Sequence, residues 1–251
     1  MPHGTIAFMA TTRATSFGAW ASEYEEWRPT YPDAAVDWLV PPNGGRVVEV
    51  GAGTGKLTDR LVERDLELDV VEPDGRMLRM ISARYPSLRV HESVATSLPL
   101  DESSVDAVVA ADAWHWFPKA EAAAEVARVL RPDGWLGCVW HVPVLQHDSE
   151  WRALRLDPAL APPDDLDPLD RLGLSTGRAE QRAFRWTWML TPQQWRGFVS
   201  TVSHVRLLPE DECRTALRET EQLVERACAA AGKTTARLTH DALCVRWYPE
   251  A

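Results

Sequence analysis

Between residues 46 and 141, short apolar runs alternate with segments of helical length. Residues 46–50 (Arg-Val-Val-Glu-Val) are a compact β-branched run, and further runs fall at 68–71, 88–91, 105–111 and 135–141. The 105–111 run is almost wholly apolar, as in a strand covered on both faces. Residues 57–64, 75–84 and 119–130 between these runs carry their apolar positions at helical spacing. Strands separated in this way predict parallel βαβ units with right-handed crossovers. Ahead of the first strand, a helix is expected over 34–39, with Pro32 at its start and the turn cluster Pro41-Pro42-Asn43-Gly44-Gly45 at its end. Beyond 141 the alternation loosens. Residues 157–170, rich in Pro and Asp, read as surface loop. Residues 182–189 read as a strand, 191–200 as a helix opened by Thr191-Pro192, 210–231 as a long helix ended by Gly232, and 235–248 as a last strand.

At 251 residues and 45% hydrophobic content, the chain can bury the core of one α/β domain. The net charge of -10 offers no overall attraction to nucleic acid or anionic membrane, and no Lys/Arg run marks a local patch. The four cysteines, Cys138, Cys213, Cys228 and Cys244, show neither metal-ligand nor disulfide spacing, so no metal is expected and a reduced, cytoplasmic protein is the default. The apolar patch at 6–10 is too short for a secretory segment, and residues 1–16 read as a loose extension.

The chemistry concentrates in Val47-Val48-Glu49-Val50-Gly51-Ala52-Gly53-Thr54-Gly55-Lys56-Leu57-Thr58: a strand, a three-glycine turn, then a helix. Such a turn lets a ligand approach backbone without meeting a Cβ, and the helix start offers free N–H groups to an anion. A triphosphate loop would need GxxxxGK with Ser or Thr next, but Val50 stands at the first glycine position and Leu57 follows the lysine. A dinucleotide loop would need Gly or Ala where Lys56 stands.

The remaining spacing, an acid two residues before GxGxG, resembles class I S-adenosylmethionine-dependent methyltransferases. The resemblance implies a doubly wound, mostly parallel seven-stranded sheet of Rossmann-like type. It would occupy 31–251, with residues 1–30 as extension and lid and a small helical cap within 142–234. It also implies that Gly51, Ala52, Gly53 and Gly55 border the methionine half of S-adenosylmethionine, with Glu49 holding its amino group or the loop itself. Glu72 ends the next apolar run, 21 residues after Gly51. A carboxylate there can accept hydrogen bonds from both ribose hydroxyls. Pro73 and Met77 continue the family pattern, Met77 packing on the adenine. The family's adenine-binding Asp is replaced by Val94, so the backbone of Val94 and Ala95, or Thr96, would serve.

Ligands in open α/β sheets sit at the carboxyl ends of the strands. Asp112, Trp114, His115, Trp116 and His141 have that address. Asp112 is assigned to the cofactor, His115 to proton transfer, and Trp20, Trp114, Trp116 and His141 to the substrate. Tyr24 and Arg28 lie four apart on one helix face, where Arg28 can meet the cofactor carboxylate or an anionic substrate, or pair with Glu25 or Glu26. Twelve tryptophans suggest aromatic walls around an apolar or planar small-molecule substrate. The expected activity is O-methylation of a small metabolite. The alternatives are an enzyme that uses the sulfonium charge without transferring methyl and a noncatalytic cofactor-binding partner.

Overall fold

The computed structural model describes residues 21–144 and 167–250. Seven strands form one sheet: β1 Gly45–Val50, β2 Leu66–Val71, β3 Arg89–His91, β4 Val105–Ala111, β5 Leu130–Pro143, β6 Arg178–Leu190 and β7 Ala236–Tyr248. Their spatial order is β3-β2-β1-β4-β5-β7-β6. Neighbours among β1 to β5 run parallel, and β7 is antiparallel to both β5 and β6. The chain winds outward from β1 through β2 to β3, then returns to place β4 on the other side of β1. The loops after β1 and β4 therefore diverge at the carboxyl edge, leaving a crevice between them.

Helices cover the sheet: α1 Ala21–Trp27, α2 Asp33–Leu39, α3 Thr58–Leu61, α4 Gly75–Arg84, α5 Lys119–Val129, α6 Pro168–Leu172, α7 Pro192–Ser200, α8 Ser203–Arg206 and α9 Glu210–Ala230. A single 3-10 turn, Trp114–Trp116, follows β4. One apolar core, containing Val108, Val126 and Leu136, packs around α5. A second, containing Val36, Val70 and Ile81, packs around α2 and α4. A third joins Trp195, Phe198 and Val224 beneath α7 and α9. Helix α7 carries a full capping box, in which Thr191 and Gln194 satisfy each other's backbone N–H.

Several elements depart from expectation. The helix expected over 57–64 shrinks to Thr58–Leu61, because turns on both sides let the chain leave the glycine loop and reverse into β2 within a few residues. Strand β5 starts at Leu130 and runs through the Arg131–Gly134 turn signal, absorbed by an irregular register against β4 and a left-handed Asp133 at φ 66. The loop read over 157–170 ends inside α6, where Asp167 caps the helix and Pro168 opens it. The rest of that loop, from 157 to 166, lies outside the described residues, as does Trp20. Strand β6 pairs along its whole length with β7, so the segment expected to form a helical cap contributes an edge strand as well as helices.

Candidate functional site

The crevice begins at the glycine turn. Gly51 and Gly53 adopt left-handed φ values of 67 and 59, which a side chain disfavours. They need glycine for different reasons. A Cβ on Gly51 would stand 2.9 Å from Ala113 Cβ and from Phe117 Cζ, so this residue is pressed against the turn after β4. A Cβ on Gly53 would meet only Met77 Sδ, at 4.0 Å, so its backbone faces open cleft.

Glu72 follows β2 and holds the turn from the other side. Its Oε2 accepts from Gly53 N–H at 2.9 Å and its Oε1 from Asp74 N–H at 2.9 Å. Burial raises its pKa, and the two backbone donors oppose that rise. Each oxygen retains a lone pair for a further donor. Glu49, on β1, is 1% exposed; its Oε2 accepts from Thr58 Oγ1 at 2.6 Å. Its Oε1 is buried without a hydrogen-bond partner.

Across the crevice, Asp112 follows β4 in a left-handed conformation, φ 47, rare for a side-chain-bearing residue. Its carboxylate organises three elements. Oδ2 accepts from Tyr31 OH at 2.8 Å and from His141 Nδ1 at 2.8 Å, and Oδ1 accepts from His141 N–H at 3.2 Å. The Tyr31 and His141 rings stack with centroids 4.4 Å apart. Burial alone would raise the Asp112 pKa, but His141, Arg28 and the Tyr31 hydroxyl outweigh it and hold the group below the usual carboxylate range. Behind His141 lie Trp186 and the fully buried His240, held neutral by burial with a pKa lowered to about 3.

Helix α1 and the segment after it close one side. The Arg28 guanidinium donates to Thr201 Oγ1 at 2.9 Å and to Thr201 O at 3.1 Å, and it lies near the rings of Tyr24 and Phe198. It does not pair with Glu25, which is bound by Lys56 and Arg84. Trp27 covers Gly197, and Glu23 pairs with Arg206 at 2.6 Å. Tyr24, Arg28 and Tyr31 all line the cleft. Hydrogen exchange across 21–31 is therefore expected to slow when S-adenosylhomocysteine is added; unchanged protection would mean that the segment is a packed helix and no lid.

The cleft, about 270 Å3, brings together Glu49, Gly51, Ala52, Gly53, Glu72, Pro73 and Met77 with Asp112, His115 and Trp116. His115 is exposed at the rim, tilted against Trp116 with centroids 4.8 Å apart, and burial of its ring lowers its pKa. Five expected site residues lie elsewhere. Trp114 is 1% exposed and donates to Leu172 O, making it a core residue. His141 stands behind Asp112 and Tyr31, outside the cleft lining. Val94 is 47% exposed at the surface, and Ala95 is buried in the core beside α5. Gly55 stands against Ile81 and Thr58. The cleft also gains Tyr31 and Phe117, which the sequence reading missed. Tyr31 stands just before Pro32, but nothing local ties it to Asp112, 81 residues away. Among the described residues no cluster of His, Cys, Asp or Glu is placed to hold a metal, and no helix is long and apolar enough to cross a membrane.

Comparison with known proteins supplies the family. Residues 48–138 match the family model described as "Methyltransferase domain". An uncharacterized methyltransferase of Mycobacterium tuberculosis H37Rv is 38% identical over 233 residues, which is 92% of this chain and 94% of the relative. The chain belongs to the methyltransferase family. A methyltransferase-like protein of Schizosaccharomyces pombe is 28% identical over 81% of this chain and 84% of its own. The fold of this methyltransferase is shared with a solved structure from Anaeromyxobacter dehalogenans described as a type II methyltransferase. That structure has a TM-score of 0.69 at 24% identity over 88% of this chain and 97% of that one. The cofactor is S-adenosylmethionine, as the family and fold require. The cleft fits it on its own chemistry. Glu49 leaves a buried acceptor unpartnered, Glu72 keeps free lone pairs, and the Gly53 backbone is open to contact.

Proposed function

We propose that this methyltransferase acts on a small, ring-bearing metabolite and transfers the methyl group to a hydroxyl oxygen. The observation that carries this reading is the cleft lining, which includes the rings of Tyr24, Tyr31, Trp116 and Phe117 together with the exposed His115. Such walls suit an apolar, planar acceptor, and a histidine beside it can take the proton that a hydroxyl must lose. The net charge of -10 argues against a nucleic-acid substrate. Cys138, Cys213, Cys228 and Cys244 are all free thiols, which supports a reduced, cytoplasmic setting.

In this reading Glu72 accepts from the ribose hydroxyls, Met77 packs on the adenine, Arg28 meets the cofactor carboxylate and Glu49 its ammonium. Asp112 completes that shell from the β4 side. When bound, the cofactor supplies an electrophilic methyl group on a sulfonium. The chain orients the acceptor toward it, excludes water with residues 21–31 as lid and α7–α9 as cap, and removes the acceptor's proton at His115. Catalysis then depends mainly on positioning.

The test is product analysis with S-adenosylmethionine and a panel of phenols, aliphatic alcohols and amines. Stoichiometric S-adenosylhomocysteine with an O-methylated phenol is expected; turnover confined to amines would overturn the acceptor assignment. With an accepted phenol, His115→Ala should lower kcat by about 10²–10⁴ and remove the acidic limb of the pH–rate profile. Because burial lowers the His115 pKa, that limb should fall below the ordinary histidine value of about 6.5. A variant with unchanged kcat and pH profile would make His115 a wall residue only.

A further inference from the structure

Glu49 carries an unanswered requirement. Its side chain is enclosed between β1, its neighbours β2 and β4, and α3, yet it borders the cleft. Thr58 Oγ1 satisfies Oε2, while Oε1 is buried and partnerless. The surrounding charges do not neutralise it. On α3, Asp59 is tied to Arg84 and Tyr85; at the end of β2, Glu72 is occupied by the N–H groups of Gly53 and Asp74. Asp112, at the end of β4, is held by Tyr31 and His141. The cations lining the cleft bond elsewhere than to Glu49, Lys56 to Glu25 and Arg28 to Thr201. Among the described residues no cation forms an ion pair with Glu49. A buried carboxylate without a counter-ion is costly, so it keeps its proton instead. Burial, with the like charges of Asp59 and Glu72, pushes Glu49 up to about 8, and the Thr58 hydrogen bond only partly opposes this.

We propose that Glu49 meets the cofactor as a neutral carboxylic acid and releases its proton to water as the cofactor's ammonium settles beside Oε1, so that cofactor uptake is coupled to proton release. This builds on the reading that Glu49 holds the amino group. The balance is simple: a carboxylic acid and an ammonium become a carboxylate–ammonium pair, and one proton leaves to solvent. The ammonium supplies both the counter-charge and the donor that Oε1 lacks.

The sign follows from linkage. Below the pKa of free Glu49, binding must displace a proton, so affinity rises with pH; it levels off once the free acid ionises. For S-adenosylhomocysteine, whose α-amino group is an ammonium throughout this range, Kd should fall about tenfold per pH unit between roughly pH 5.5 and 7.5.

The experiment is titration calorimetry of the intact protein at pH 6.5 in buffers of different ionisation enthalpy, with S-adenosylhomocysteine as the probe. Release of about one proton is expected for the native chain. It should vanish in Glu49→Gln, and also with 5′-methylthioadenosine, which has no amino acid half. Thr58→Val, which removes the donor to Oε2, should shift the levelling-off to higher pH and serves if Glu49→Gln fails to fold. Proton-neutral binding by the native chain, with Glu49→Gln still weakened, would overturn the coupling while sparing the amino-group contact. Neutral binding with unchanged affinity in Glu49→Gln would overturn both. Release that persists in Glu49→Gln would place the proton elsewhere and overturn the proposal.

Discussion

Gly53→Val and Glu72→Ala should each weaken S-adenosylhomocysteine binding by about 100-fold or more while leaving the protein folded. The expected cause differs. At Gly53 a Cβ meets only Met77 Sδ at 4.0 Å, so a valine projects into the cleft and displaces the ligand without colliding with the core. The left-handed backbone adds about 1–2 kcal/mol of strain, which the fold can absorb. At Glu72 the loss is of hydrogen bonds to the ribose hydroxyls, each involving a charged acceptor and worth about 1.5–3 kcal/mol. Two such bonds amount to roughly a hundredfold or more in affinity. The same change also strands the Gly53 and Asp74 N–H groups, so Glu72→Gln, which keeps an acceptor, should lose less. Calorimetry on variants with native far-UV spectra provides the check. Unchanged affinity in both would move the cofactor away from this cleft.

Asp112→Ala should lower stability by about 3 kcal/mol, because each donor left without its acceptor costs about 1–3 kcal/mol. Among the described residues the carboxylate is the acceptor for the Tyr31 hydroxyl, and it receives two donors from His141. Its removal would strand polar groups on two segments at once, the Tyr31 hydroxyl ahead of α2 and the His141 donors on β5. Asp112→Asn keeps the shape and one acceptor oxygen, so it should retain part of this. Because burial, which raises the Asp112 pKa, is outweighed by His141, Arg28 and Tyr31, which lower it, the stability that Asp112 contributes is present above the ordinary carboxylate pKa of about 3.9. That contribution is lost as pH falls through the lowered value in the folded protein. Thermal melts of the native chain and Asp112→Ala should therefore differ near neutral pH and converge in strong acid. A constant gap in melting temperature across that range would show that the effect is packing alone.

How much of this was legible in the chain depended on how local the information was. The 75–84 helix and the 105–111 strand were read with the bounds the structure shows, because a capping Asp74 and a β-branched apolar run are local signals. Trp114 and Trp116 illustrate the opposite case. Both follow β4, and the sequence reading assigned both to the substrate, but they lie two apart in a 3-10 turn with about three residues per turn. They must point in different directions, and one enters the core while the other enters the cleft. The strand-end address located the turn correctly but could not choose between its faces.

By itself, the sequence determined the alternation of strands and helices, the glycine turn, and the acids at 49 and 72 that flank it. These depend on backbone conformation, side-chain period and short spacings, all expressed within one or two elements. Only the tertiary structure decided that Tyr31, Asp112 and His141 form one cluster, that Arg28 is held by Thr201, and that Glu49 is buried beside the cleft with one oxygen unpaired. The physical reason is that hydrogen-bond partners and desolvation belong to the packed arrangement of distant segments. A carboxylate exposed to water and a carboxylate enclosed between strands are the same letter in the chain, and only burial makes one of them hold its proton near neutral pH.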